Sequence, residues 1–150
     1  MTDKQLVRAV TRLVQKWLPI LLGKGVWTVS VQSLPGSAMM ASEYSDRLGS
    51  VPPFMSTTAS LGERKILIQV NNEKQWGSFW ADLEVSTIHE LLHTVIRDMG
   101  FDQAVAALRK VAEHRAPAEA DVCVERVQET EEELLDRLAV ILTKGVHHGA

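Results

Sequence analysis

Residues 83–98 read LEVSTIHELLHTVIRD, an apolar stretch that contains two histidines and a glutamate near its middle. Its apolar residues recur every three or four positions, which is typical of a helix with one buried face. Asp82 can cap the beginning of this helix, and Gly100 ends the pattern. The stretch therefore predicts one helix that places polar, chemically active side chains among buried apolar ones.

The spacing of the two histidines indicates what this helix can do. His89 and His93 are four residues apart, so they project from one face of an α-helix and can bind the same ion. Glu90 lies beside the first histidine and is not needed as a ligand, so it can act as general base toward a water at the metal. We therefore expect His89 and His93 to bind zinc and Glu90 to be catalytic. The alternative is that all three lie on a solvated helix face.

The remaining sequence predicts an α+β fold. Helical spacing of apolar residues begins near Asp3 and should bend or end near Pro19, and alternating or short apolar runs predict strands before the metal helix. After it come a helix, an Ala/Pro break and a long final helix that ends near Gly145. The predicted ranges are a first helix at 3–22, strands at 26–32 and 64–70, weaker strands at 38–44 and 57–60, and a third helix at 102–114 followed by a break at 115–118.

Length and composition limit the class of protein. A chain of 150 residues suits one domain over 1–150, and 45% hydrophobic with 23% charged residues is ordinary for globular proteins. The net charge of -3, with scattered lysines and arginines, argues against a nucleic-acid surface, and no apolar run is long enough for a bilayer. Cys123 is the single cysteine and no signal peptide is evident, so we expect a cytoplasmic protein without disulfides. An inert, buried Cys123 is the expected environment.

A catalytic zinc site needs a third protein ligand, and the acidic final helix is the predicted source. Glu132 and Asp136 are four residues apart and share a helix face. Glu132 can therefore ligate while Asp136 accepts a hydrogen bond from His89 and orients it. Glu133 and Glu129 are the alternative ligands. The whole acidic run can also be a solvated helix face, as such runs usually are.

Together these motifs resemble the gluzincin metallopeptidases, in which a His-Glu-x-x-His helix is completed by a glutamate on a later helix. The similarity is greatest to the compact members, namely minigluzincins and the phage-associated ImmA/IrrE-type peptidases. Their second motif has the form Glu-x-x-Ala-Asn/Asp-x-Phe-Ala, and residues 132–139 here read EELLDRLA. The resemblance spans roughly residues 26–143.

The resemblance implies a zincin-like fold: an N-terminal helix, a small, mostly antiparallel sheet of about three strands, the metal helix and a C-terminal glutamate helix. It also implies a zinc-dependent metalloendopeptidase, phage or mobile-element encoded, whose substrate is an extended peptide or protein. In that family an edge strand ahead of the metal helix binds the substrate as an added strand. Residues 64–70 match that position.

The expected reaction is hydrolysis of a peptide bond. Glu90 takes a proton from the attacking water and returns it to the leaving amine. Tyr44, His114 and Arg115 are the candidates for stabilising the oxyanion. One rival hypothesis is a catalytically silent zincin-fold protein that binds a partner through its sheet edge. A second rival is a helical binding module without metal.

Overall fold

The computed structural model describes residues 1–23, 25–39, 53–73 and 82–148, with side chains up to residue 144. It confirms the α+β class, and the helices and strands within those ranges lie where the sequence predicts them, with ends shifted by a few residues. Residues 36–38 form a 3₁₀ turn rather than the start of a strand, and residues 40–44 lie outside the described ranges. The described elements are helices α1 (Asp3–Leu22), α2 (Leu83–Asp98), α3 (Phe101–Arg115) and α4 (Ala120–His148), and strands β1 (Thr28–Leu34), β2 (Met55–Ser60) and β3 (Lys65–Asn71).

The chain divides into two compact units, Met1–Leu91 and Leu92–Ala150. The boundary falls inside α2, whose helical backbone is continuous across it. The single domain expected over 1–150 stays a prediction.

In the first unit, α1 begins with a capping box in which Thr2 and Gln5 each bond the other's backbone amide. The helix continues past Pro19 to Leu22, the end of the predicted range, so of the two alternatives at the proline, a bend or an end, the end is excluded. Its apolar stripe is fully buried, as expected for a surface helix that packs on a core. The buried residues of this stripe are Leu6, Val10, Val14 and Trp17.

The sheet of the first unit corrects the predicted topology. Among the described residues the strand order is β1-β3-β2, with β3 parallel to β1 and antiparallel to β2. The sheet is therefore mixed rather than mostly antiparallel. Strand β3 is central, so both of its rows of amides and carbonyls are already paired and it cannot accept an added peptide strand. The assignment of residues 64–70 to a substrate-binding edge is wrong.

The beginning of α2 is anchored to α1 within the first unit. The buried Trp17 donates its indole hydrogen to Glu84 Oε1 at 2.8 Å, and Lys16 Nζ lies 2.6 Å from the same oxygen. Glu84 is in the first turn of α2, where a negative charge is favourable. Ile88 and Leu91, in the following turns, are completely buried. These contacts fix the first turns of the helix that carries the histidine motif.

In the second unit, α3 follows α2 through Gly100, whose φ of 90° suits a glycine. An ion pair of 2.7 Å joins Arg109 of α3 to Asp121 at the start of α4. The buried residues of α4 include Val124 and Leu135. Cys123 is exposed, so its predicted burial is wrong.

None of the helices in the described ranges combines the length and apolar character that a bilayer crossing requires.

Candidate metal centre

Helix α2 places the three polar residues of its histidine motif at the edge of a buried face. His89, Glu90 and His93 are all half-buried, while their neighbours Leu91 and Leu92 are buried. The side chain of His93 is only 12% exposed. A fully solvated helix face, the alternative to a metal site, is therefore not what the structure contains.

The structure brings the three predicted ligands together. Ligand atoms of His89, His93 and Glu132 all lie within 4.8 Å of one another, and the group could hold a metal ion. His93 Nε2 is 3.1 Å from Glu132 Oε1. Two donors bound tetrahedrally at the usual zinc distances would be separated by about 3.3 Å, so this spacing is close to that of neighbouring ligands on one ion.

The donor set also suits zinc. Two imidazole nitrogens and one carboxylate oxygen form a ligand set found in catalytic zinc sites, which keep a further position for water or substrate. A calcium or magnesium site would be dominated by oxygen donors instead. The residues of this group therefore fit a transition metal such as zinc.

A fourth residue, Glu131, contacts the group and was missed by the sequence analysis. Its Oε1 lies 3.1 Å from His93 Nδ1, so the His93 ring has a carboxylate at each nitrogen. The side chain of Glu131 is 13% exposed and that of Glu132 is 31% exposed. These two acids face the histidine, whereas Glu129 and Glu133 are exposed.

The apolar pattern of α4 contains a signal that could have identified Glu131. This residue comes seven after Val124 and seven before Leu138, so it occupies a position of the helix's apolar stripe. Val124 is buried and Leu138 is half-buried. A carboxylate at such a position is costly unless it has a partner, and here that partner is His93.

For the other predicted site residues, the described contacts do not support the predicted roles. Asp136 lies one turn after Glu132 at an exposed position, and its role toward His89 stays a prediction. His114 and Arg115 are exposed at the end of α3 and are not part of the candidate ligand group. Tyr44 lies outside the described residues.

An apolar pocket of about 330 Å³ adjoins Glu131 within the second unit. Its wall is mainly aliphatic and aromatic, with Glu131 as one of the few polar members. Ile96 follows His93 by three residues on α2, which places the pocket about one helical turn beyond that histidine. The apolar wall comprises Ile96, Phe101, Val127, Leu134 and Leu135.

Comparison of the chain with protein-family models, with curated proteins and with solved structures finds no match. The resemblance to gluzincins therefore rests on the two motifs alone.

Proposed function

We propose that this protein is a zinc-dependent metallopeptidase that hydrolyses peptide bonds. The observation that carries the proposal is the convergence of His89, His93 and Glu132 within 4.8 Å, with Glu90 next to the first of them on α2. Two of these ligands come from one helical turn and the third from a distant helix. A local run of charged residues would not by itself produce that arrangement.

The composition of the group favours a catalytic site over a structural one. Structural zinc sites usually have four protein ligands, whereas catalytic sites have three and leave one position open. Within the described ranges the group has three members. A structural site would also have no use for a half-buried carboxylate at Glu90.

The chain's own residues supply the proton transfers. Zinc, when bound, would polarise the substrate carbonyl and make water acidic enough to be activated near neutral pH. Glu90 follows His89 directly on α2 and is the general base that the motif predicts for a water beside the ligand group. It would accept the proton of that water and return it to the leaving amine.

The resemblance to gluzincins and the apolar pocket together support a substrate class. We infer an extended peptide or protein substrate, with an apolar side chain bound in the pocket beside Glu131. If the substrate also adds a strand to the sheet, the outer strands of the described order are β1 and β2. Cytoplasmic localisation and a phage or mobile-element origin stay predictions.

The proposal is tested by metal analysis combined with one substitution. Protein purified without added metal should contain close to one zinc per chain. Glu90→Gln should retain that zinc and reduce cleavage of a peptide library by about 10²- to 10⁴-fold, the usual contribution of a general base. Glu113→Gln, at an exposed position of α3, is the matched control and should leave both properties unchanged.

Three results would contradict the proposed metallopeptidase or its mechanism. Absence of zinc from the wild-type protein would remove the metal site, and a helical binding module without metal would then be favoured. Equal cleavage by the wild type and Glu90→Gln would remove the mechanism. Zinc without any cleavage would favour the silent zincin-fold protein that binds a partner.

A further inference from the structure

The contacts of His93 distinguish its two ring nitrogens. Nε2 lies 3.1 Å from Glu132, which belongs to the candidate ligand group, and Nδ1 lies 3.1 Å from Glu131, which does not. A ligating imidazole nitrogen must offer a lone pair, so the hydrogen of the neutral ring resides on the other nitrogen. Ligation through Nε2 therefore leaves Nδ1–H pointing at Glu131.

We propose that Glu131 is a positioning residue of the metal site, which accepts the Nδ1 hydrogen of His93 and holds Nε2 toward the ion. The inference rests on the proposed zinc site. A carboxylate on the outer nitrogen fixes the tautomer, limits rotation of the ring and makes the ligating nitrogen a stronger donor. Asp136 is the orienting acid predicted for His89, so Glu131 would serve the other histidine.

The burial of Glu131 supports this role over a ligand role. At 13% exposure its side chain is the more enclosed of the two acids, whereas Glu132 is 31% exposed. A catalytic site keeps its metal accessible to water and substrate, so the more open carboxylate suits the ligand position. The more enclosed carboxylate suits the outer contact, where exclusion of water strengthens a charged hydrogen bond.

The experiment measures zinc affinity by competition with a chromophoric chelator, with Zn²⁺ alone as the probe. Glu131→Ala should weaken binding about 100-fold and Glu131→Gln about 10-fold, the two ends of the range for such outer contacts. The glutamine retains a carbonyl acceptor for Nδ1–H but lacks the charge, so it should rescue part of the loss. Glu133→Gln removes an exposed neighbouring charge, so it measures the loss of charge alone and should lower zinc affinity far less than Glu131→Gln.

A second measurement separates positioning from general stabilisation of α4. In ¹⁵N NMR spectra of the zinc-bound protein, the Nδ1–H signal of His93 should be present in the wild type and shift in Glu131→Gln. The shift should appear even where the melting temperatures of the two zinc-free proteins agree. A merely structural role for Glu131 would change the melting temperature and leave that signal in place.

Three outcomes would overturn the inference. Equal zinc affinity of Glu131→Gln, Glu131→Ala and Glu133→Gln would mean that Glu131 does not support the site. Loss of zinc in Glu131→Ala together with retention in Glu132→Ala would make Glu131 the ligand. Absence of zinc from the wild type would remove the proposed function as well, whereas zinc binding without cleavage would leave this inference supported.

Discussion

Helices α2 and α4 both contribute to the candidate metal centre, but they do so by different means. On α2 two histidines stand four residues apart, so one helical turn brings them together whatever else the chain does. On α4 six acidic residues lie between Glu125 and Asp136, and they point in several directions around the helix. The structure turns Glu131 and Glu132 toward His93 and leaves Glu129 and Glu133 exposed.

The difference shows which part of a metal site is local and which is not. Histidine spacing on α2 is a property of the helix itself, so a short motif specifies it. The choice of acid on α4 depends on the rotation of that helix against its surroundings, which its apolar stripe determines. Substitutions on the two helices should therefore have graded effects, largest where the contact is direct.

The largest effect is expected on α2. His93→Ala removes one imidazole of the candidate ligand group, and with it the side chain that both Glu131 and Glu132 contact. Zinc affinity should fall by more than about 100-fold, beyond the range for outer contacts, because a direct ligand is lost. Equilibrium dialysis followed by elemental analysis measures this loss.

The matched control for His93→Ala is His114→Ala on α3. His114 is exposed and lies outside the ligand group, so its removal should leave zinc affinity unchanged. Equal zinc affinities of the two variants would show that His93 is not a ligand. The histidine spacing on α2 would then not specify a metal site.

The next effect separates two neighbouring acids of α4. Glu132→Ala should lower zinc affinity well beyond Glu133→Ala, because only Glu132 belongs to the ligand group. Both substitutions remove one negative charge from adjacent positions, so long-range attraction of the cation changes alike in the two. Competition titrations with a zinc chelator give the ratio. A ratio near one would mean that the third ligand lies elsewhere.

The same distinction between local and distant causes explains what the sequence could predict. Helices α1 to α4 were predictable because apolar spacing, caps and glycines act within a few residues. Strand β3 was identified, but its central place was not, since strand order depends on partners distant along the chain. Its nearly continuous apolar run, Ile66 to Ile68 and Val70, is typical of a strand covered on both faces and should have argued against an edge.

For the site, the histidine pair and Glu132 followed from spacing, while Glu131 required knowledge of which face of α4 is buried. A run of adjacent glutamates looks uniform when each is judged by residue type. The glutamates can be distinguished by their position relative to the apolar stripe through Val124 and Leu138, on which only Glu131 lies seven residues from both. The oxyanion candidates Tyr44, His114 and Arg115 stay predictions, because spacing along the chain does not show which residues tertiary folding brings near the site.

The smallest effect is expected at the apolar pocket, which α4 lines mainly with apolar side chains. Leu134 lines this pocket and is 52% exposed. It can therefore contact a substrate side chain, and it is not part of the buried core. If the proposed peptidase binds an apolar side chain there, Leu134→Ser should lower kcat/KM about 10-fold for peptides with a large aliphatic residue. Zinc affinity and cleavage of peptides with a small residue at that position should stay unchanged.

Ile141 provides the control for this last prediction, because it is an exposed aliphatic residue of the same helix, 63% exposed, and does not line the pocket. Ile141→Ser removes a comparable apolar side chain, so any general effect on solubility or on α4 should appear in both variants. Selectivity lost in Leu134→Ser alone would assign the pocket to substrate. Equal selectivity in the two variants would mean that the pocket does not bind the peptide. Helix α4 would then contribute only its carboxylates to the site.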